Sequence, residues 1–334
     1  MARLSLDEIE ALSRAALVAA GASETSAAAV ARSTRLAERD GIRSHGLLYV
    51  PIYAEHLRCG KVDGAAVPQV KMARAGAVCV DAATGFAHPA IDAGWDLFMK
   101  AAGENGVAVL TVHNSYNCGV LGHHAERIAE RGFLGLCTTH APASIAPPGG
   151  RQPVVGTNPF ALAVPDGRGG STFVVDQSAS AIAKSEILLR AREGKALEPG
   201  WAVDADGNPT TEAEAALKGS MLPAGGHKGF GIGLLVEILA SCLSGAVLSR
   251  DASPFSGTAG GPPRTGQCFI AFDPGAFSGS FAGQVERLVE AIETQDGARL
   301  PGARRKLARQ RTALDGVEVD DGLLSRLLPT LKEN

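Results

Sequence analysis

Apolar residues in this 334-residue chain keep a helical period at both ends and lose it in the middle, and that change of texture constrains the fold more than any single motif. Ser5-Leu6-Asp7-Glu8 has the form of a capping box. Helical patterns follow over about 6–20 and 24–39. A polar turn, 40–46, then precedes a third expected helix over about 47–59. From about residue 67 short β-like runs appear, among them 77–81 and 106–112, with a helix between them over about 89–103. After Phe133, apolar stretches are cut by Ala146-Pro147-Pro148-Gly149-Gly150, Gly156-Thr157-Asn158-Pro159 and Val164-Pro165-Asp166-Gly167, turn chemistry that separates strands. Charged helical segments return from about residue 284. The pattern predicts an α/β protein in which residues 1–70 and 285–334 form a helical domain around a sheet domain of 71–284.

The charge balance, 32 Lys and Arg against 35 Asp and Glu, offers no electrostatic footprint for nucleic acid or an anionic membrane. Six cysteines (Cys59, Cys79, Cys118, Cys137, Cys242, Cys268) stand singly, without a C-x-x-C pair, which points to a reduced, cytoplasmic setting. The first residues lack the basic-then-apolar order of a signal peptide. The most membrane-like stretch, 230–248, carries Glu237 in its middle and reads as a buried helix.

No G-x-G-x-x-G, G-x-x-x-x-G-K-[ST], H-E-x-x-H or G-x-S-x-G occurs, so the Rossmann, P-loop, zincin and hydrolase-elbow scaffolds lack their fingerprints. What the chain offers is polar islands in apolar text. Pro223-Ala224-Gly225-Gly226-His227-Lys228-Gly229 runs into an apolar helix expected from about residue 230. It is either an anion seat at a helix N-terminus or a tight entry turn with an exposed lysine. Arg43-Ser44-His45 is either a proton-transfer site, since histidine titrates near pH 6.5, or a Ser cap beside a surface His. His113-Asn114-Ser115-Tyr116-Asn117-Cys118-Gly119 with Gly122-His123-His124 is a binding loop at a strand end or a hydrogen-bonded turn. Asp176-Gln177-Ser178-Ala179-Ser180 with Lys184 suits phosphate oxygens or an ordinary N-cap. His123 and Glu126 share a helix face at i, i+3 but lack a third ligand, so no metal is expected.

Four pieces in this order, Ser44-His45-Gly46, Gly156-Thr157-Asn158-Pro159, Gly200-Trp201-Ala202-Val203-Asp204 with Gly207-Asn208-Pro209-Thr210-Thr211, and Gly225-Gly226-His227-Lys228-Gly229-Phe230-Gly231, resemble the type-2 malate/L-lactate dehydrogenases. That family also includes ureidoglycolate dehydrogenase, sulfolactate dehydrogenase and Δ1-piperideine-2-carboxylate reductase. The resemblance covers nearly the whole chain. It implies a non-Rossmann NAD(P)-binding domain on a large, mostly antiparallel sheet, a homodimer with the active site near the subunit contact, and NAD or NADP as cofactor. The implied reaction is hydride transfer between nicotinamide and the C2 of a 2-hydroxy or 2-oxo acid. By the same likeness His45 is the acid/base, with Ser44, Asn117 and Tyr116 orienting the oxygen. Arg43, Tyr49, Tyr53 and His123 are expected around the substrate. His140, Thr157, Asn158, Asp176, Ser178, Ala179, Ser180, His227, Lys228 and Arg304 are expected along the cofactor.

Two departures stand out. The family's arginine four residues after the histidine is Tyr49 here, which leaves Arg43 as the nearest anion anchor, with Arg264 a poorer one. A histidine two residues before the glycine of the second island is Asn117, which carries no proton, so His123 or His124 is a candidate replacement. These departures favour a 2-hydroxy acid with a second anionic group, such as sulfolactate. A cyclic α-imino acid is the main rival, and a non-catalytic binding dimer of the same fold is a third reading.

Overall fold

In the computed structural model, which describes residues 1–327, the chain opens with β1 (Ala2–Leu4) and α1 (Leu6–Ala19). The capping box forms: Ser5 Oγ accepts the Glu8 N–H at 3.2 Å, and the Glu8 carboxylate accepts the Ser5 N–H at 2.7 Å. α2 (Glu24–Arg39) starts at a Ser23 cap and buries Ala27, Ala31 and Ala37, small residues that let it lie close to its neighbours. The third helix does not run from residue 47. Two 3₁₀ turns, Arg43–His45 and Leu47–Tyr49, come first, and α3 (Val50–Arg58) follows with Pro51 in its first turn, where a missing N–H costs nothing.

β2 (Gln69–Arg74) and β3 (Ala77–Asp81) lead to α4 (Ala87–Asn105), β4 (Val107–Ser115), α5 (Leu121–Ala129), β5 (Leu134–Thr139), β6 (Phe160–Pro165) and β7 (Ser171–Gln177). A smaller unit then comprises α6 (Lys184–Glu193), β8 (Ala202–Val203), β9 (Pro209–Thr210), α7 (Ala213–Lys218) and β10 (Ser220–Met221). α8 (His227–Glu237) leads to β11 (Thr265–Phe272). The chain then passes through α9 (Pro274–Phe277), α10 (Phe281–Glu293), α11 (Ala303–Asp315), β12 (Val317–Val319) and α12 (Asp321–Leu327). The main sheet has the order β2-β3-β4-β11-β5-β6-β7, antiparallel throughout except for the β3–β4 pair, around which α4 makes the crossover. This is the large, mostly antiparallel sheet the resemblance implies. Phe98, Leu110, Ile128 and Phe269 are fully buried between the sheet and α4 and α5, each contributing about 1.5–3 kcal/mol.

β1 pairs antiparallel with β12, so the two chain ends meet, and α11 packs on α2. Residues 328–334, the end of the expected helical domain, lie outside the described residues. Two expectations need correction. α8 begins at His227 rather than near 230, because Gly226 takes φ +64° and serves as the N-cap, placing His227 and Lys228 inside the first helical turn. The 230–248 stretch is not a buried helix: α8 passes into a π turn, Ile238–Cys242, and Leu235, Ile238 and Leu243 are 51%, 57% and 59% exposed. No described helix is long and apolar enough to cross a membrane.

Candidate active site

His45 sits at the end of the first 3₁₀ turn, between α2 and α3. Its Nδ1 meets Ser44 Oγ at 3.1 Å, which leaves Nε2 for a ligand. Its ring lies nearly parallel to that of Tyr49, with centroids 6.4 Å apart and planes 8° apart. His45 is exposed, yet protein crowds most of its imidazole. Burial lowers its pKa below the usual value; the Asp176 carboxylate opposes that shift, and the charges of His123 and Arg305 add to it. His45 is therefore largely neutral at pH 7.

On the other wall, Tyr53 donates to Asn117 Oδ1 at 3.0 Å and the Gly119 N–H donates to the same oxygen at 3.2 Å. The acceptor of Asn117 is thus engaged, and only its N–H₂ can face a ligand. Tyr116, expected to orient the substrate oxygen, is fully buried with its hydroxyl against His56 Nδ1, and Tyr53 is 2% exposed. Both stand behind the site rather than in it. Burial raises the pKa of the Tyr49, Tyr53 and Tyr116 phenols. Sequence reasoning misses the supports behind them. His56 Nε2 donates to the Gly257 carbonyl at 3.1 Å, and the buried Lys61 ammonium donates to the carbonyls of Pro254 (2.6 Å) and Ser256 (3.3 Å). These bonds hold Phe255 edge-on against Tyr116. Nothing local marks Lys61, whose partners lie almost two hundred residues away.

Asp176, at the end of β7, accepts the Gly122 N–H at 3.0 Å and an Arg305 N–H at 2.7 Å. His123 and His124, the candidate replacements for the missing histidine, each bond to other groups. His124 Nε2 donates to the Cys118 carbonyl at 2.9 Å, and His123 Nε2 meets Asp40 at 3.1 Å. Asp40 also accepts from Arg39 (2.7 Å) and, twice, from Arg309 (2.8 and 2.7 Å), while Arg309 forms two 2.7 Å bonds to Glu126. Burial alone would raise the Asp40 pKa, but the His123, Arg309 and Arg39 donors outweigh it and hold the carboxyl well below the usual range. His123 and Glu126 thus belong to an ionic network that ties α11 to α2 and α5.

The loops around residues 157, 179 and 224 are stitched together by backbone bonds. The Ala179 N–H donates to the Thr157 carbonyl, Ala224 N–H to that of Ala179 and Ala181 N–H to that of Leu222, each at 2.8 Å. Beside them, the N-terminus of α8 has no side-chain cap, and Gly225, Gly226, His227 and Lys228 are exposed around it. Free amides, the positive end of the helix dipole and a lysine are the donor set a dinucleotide phosphate requires, so the residues present fit such a cofactor. Ser178 and Ser180 hydroxyls lie 2.8 Å apart near this seat.

Three expected cofactor contacts act from behind it. Asn158 is fully buried, its Oδ1 accepting the Ala141 N–H and its Nδ2 donating to the Gly233 carbonyl and to Glu237. His140 Nδ1 accepts the Gly266 N–H in the interior, and Ala179 is 2% exposed. Arg304 stands with Arg299, Arg305, Asp176 and Gln177 around an open cleft of about 520 Å³. Among the described residues, neither Arg299 nor Arg304 has an ion-pair partner. Arg43 reaches the Glu318 carbonyl at 3.4 Å and lines a small cleft with Glu38, Glu318 and Asp320. Arg264 lies exposed just before β11.

A family model described as malate/L-lactate dehydrogenase matches residues 4–328. A Δ1-pyrroline-2-carboxylate reductase of Ancylobacter novellus is 40% identical over 329 residues, which cover 97% of this chain and 96% of the relative. A (2R)-3-sulfolactate dehydrogenase (NADP⁺) of Chromohalobacter salexigens is 38% identical over 324 residues, 97% of this chain and 96% of the relative. Among solved structures, Δ1-piperideine-2-carboxylate reductase from Pseudomonas syringae superposes with a TM-score of 0.93 at 38% identity, covering 99% of this chain and all of the other.

Proposed function

The chain belongs to the malate/L-lactate dehydrogenase family, and on that premise we propose that it reduces a cyclic 2-imino acid of the pyrroline- or piperideine-2-carboxylate type, with NADPH in preference to NADH. It is an NAD(P)-dependent oxidoreductase. The observation that carries the substrate reading is the wall beside His45. Tyr49 stands there in place of a cation, and the Arg305 guanidinium, whose charge reaches His45, is already held by Asp176. Arg43, two residues before His45, turns to the Glu318 carbonyl and lines a small cleft with Glu38, Glu318 and Asp320, so a second fixed anion finds little support at this wall. A compact ring with one carboxylate suits it, and the face of Tyr49 favours an iminium nitrogen. The 2-oxo or 2-hydroxy acid reading is the alternative, supported by the sulfolactate dehydrogenase relative.

Bound NAD(P)H supplies the hydride. His45, steadied at Nδ1 by Ser44, presents Nε2 to the substrate heteroatom and gives or takes its proton, while Asn117 donates an amide N–H. Thr157, Ser178, Ser180, His227, Lys228 and the first amides of α8 would hold the cofactor. Arg299 and Arg304, two unpaired guanidinium groups at one cleft, would take a 2′-phosphate and so favour NADPH. The exposed apolar ridge of Leu234, Leu235, Ile238 and Leu243 supports a homodimer. Six free cysteines support a cytoplasmic setting. A helical body of 1–70 with 285–334 and a sheet domain of 71–284 belong to the same reading, supported by the β1–β12 pairing.

The test follows reduced-nicotinamide absorbance with NADH or NADPH and a panel of pyrroline-2-carboxylate, piperideine-2-carboxylate, pyruvate, oxaloacetate and sulfopyruvate. Turnover of the imines with NADPH supports the proposal, and turnover of ketones alone moves the protein to the alternative. Silence with every substrate, despite tight cofactor binding, returns it to a non-catalytic binding dimer.

A further inference from the structure

Glu38, in the last turn of α2, is 5% exposed, and its Oε1 accepts the Leu47 N–H at 2.7 Å. Leu47 follows directly on the Arg43–Gly46 turn that carries His45. The backbone of that turn otherwise bonds locally: His45 N–H to the Ile42 carbonyl, Gly46 N–H to that of Arg43 and Tyr49 N–H to that of Gly46. Among the described residues, the Glu38 bond is the one made by a side chain outside the turn to the backbone between residues 42 and 49. The fit is also steric. A Cβ at Gly46 would lie 2.0 Å from Glu38 Oε1 and 2.5 Å from its Cδ, so carboxylate and glycine interlock, and no larger residue fits at 46 while Glu38 keeps its place.

Glu38 makes no ion pair among the described residues. The charged groups sharing its small cleft are Arg43, Glu318 and Asp320, and burial pushes its carboxyl pKa up, against the Leu47 N–H and the Arg43 charge. A buried carboxylate without an ion pair costs stability, and an apolar side chain there would cost less. What the carboxylate supplies in return is a strong, charge-assisted acceptor at a fixed point under the His45 turn. Two residues on, Asp40 anchors His123 and Arg309.

We infer that Glu38 is a positioning residue for the reaction, a buried brace that fixes the Ser44-His45 turn by holding the Leu47 amide against Gly46. The inference rests on His45 being the acid–base group. Its test uses the full-length chain in four variants, E38A, E38D, E38Q and G46A, with two readouts. The first is steady-state reduction of pyrroline-2-carboxylate by NADPH. The second is NMR titration of the His45 ring, which requires no substrate. In E38A and G46A, kcat is expected to fall about 10- to 100-fold, as misplacement of a catalytic group by about 1 Å does, while the KM for NADPH stays within about twofold. E38Q, whose amide oxygen still accepts the Leu47 N–H, is expected to keep kcat within about threefold, and E38D to fall between. The His45 midpoint should rise toward about 6.5 in E38A and G46A as the ring loses its protein surroundings, and stay put in E38Q. If E38A does not fold, E38D against E38Q carries the comparison. An unchanged His45 midpoint in E38A, or in E38D where E38A does not fold, overturns the inference. So does an E38Q variant as impaired as E38A. If the wild-type protein turns over no substrate, the failure falls on the proposed function, and the titration still decides the role of Glu38.

Discussion

The ring of Tyr49 lies 8° from parallel with that of His45, their centroids 6.4 Å apart, so the proposed acid–base group has an aromatic neighbour four residues further on rather than a guanidinium. This relationship separates substrate classes. Replacing Tyr49 by Arg should raise kcat/KM for 2-oxo acids about tenfold, the effect of roughly 1.4 kcal/mol, and lower it for the cyclic imines. Paired steady-state measurements on the two substrate types check this, and equal changes for both would show that the side chain does not face the substrate.

If His45 carries the proton, as proposed, its removal should be costly and its titration visible. H45Q is expected to lower kcat by about 10² to 10⁴, with the cofactor dissociation constant unchanged. Burial lowers the His45 pKa. Reduction, which needs the protonated ring, should therefore accelerate as pH falls toward a midpoint below about 6.5 and fade above it. Oxidation of the product, which needs the neutral ring, should hold its rate above that midpoint and lose it below. A wild-type rate that does not vary between pH 5 and 8 in either direction would remove His45 from this role.

On the proposed reading, cofactor binding divides between two ends. K228A should weaken NADH and NADPH alike, by about tenfold, since a phosphate contact is lost from both. The double substitution of Arg299 and Arg304 by Ala should weaken NADPH alone by a similar factor, because NADH carries no 2′-phosphate. Fluorescence titration of the two cofactors separates these patterns, and an equal loss of NADH in the arginine variant would count against NADP preference.

His88 predicts an acid limit to stability. It is 5% exposed, both of its ring nitrogens are buried, and burial, opposed by the Cys118 backbone, pushes its pKa down to about 3. In the unfolded chain it titrates near 6.5, so below that pH the unfolded state binds a proton that the folded state does not. Stability should fall as pH drops from about 6 toward 3, with His88 contributing about 1.4 kcal/mol per pH unit. Denaturant unfolding at pH 7 and pH 5 in wild type and H88N should show a smaller loss in the variant. An equal loss would place the acid sensitivity elsewhere.

How much of this was legible in the sequence depended on how far apart the interacting residues lie. The capping box of Ser5 and Glu8 is local and reads directly. The shape of the sheet and the place of His45 followed from motifs in register along the whole chain. Asn158 sits within one of those motifs and Tyr116 within the polar island of 113–119, yet both turn inward, because a motif marks a position and not the direction of a side chain. Glu38 and Lys61 look like surface residues in the text. Only contacts made by the folded backbone, Glu38 to Leu47 across a turn and Lys61 to Pro254 across most of the chain, reveal them as interior supports. The exposed ridge on α8 was misread as buried because sequence hydropathy cannot tell a helix packed within one chain from one with its apolar face uncovered.

The position of β11 has a consequence for the order of synthesis. It lies at the middle of the seven-stranded sheet, between β4 and β5, yet is made after all the other strands of that sheet. On the ribosome, until residue 272 has been added, β4 and β5 present bare edges to each other and to any passing chain, the arrangement most prone to wrong pairing. The sheet's keystone arrives last, so a nascent or truncated copy ending before it should be a client for chaperones rather than a smaller working enzyme.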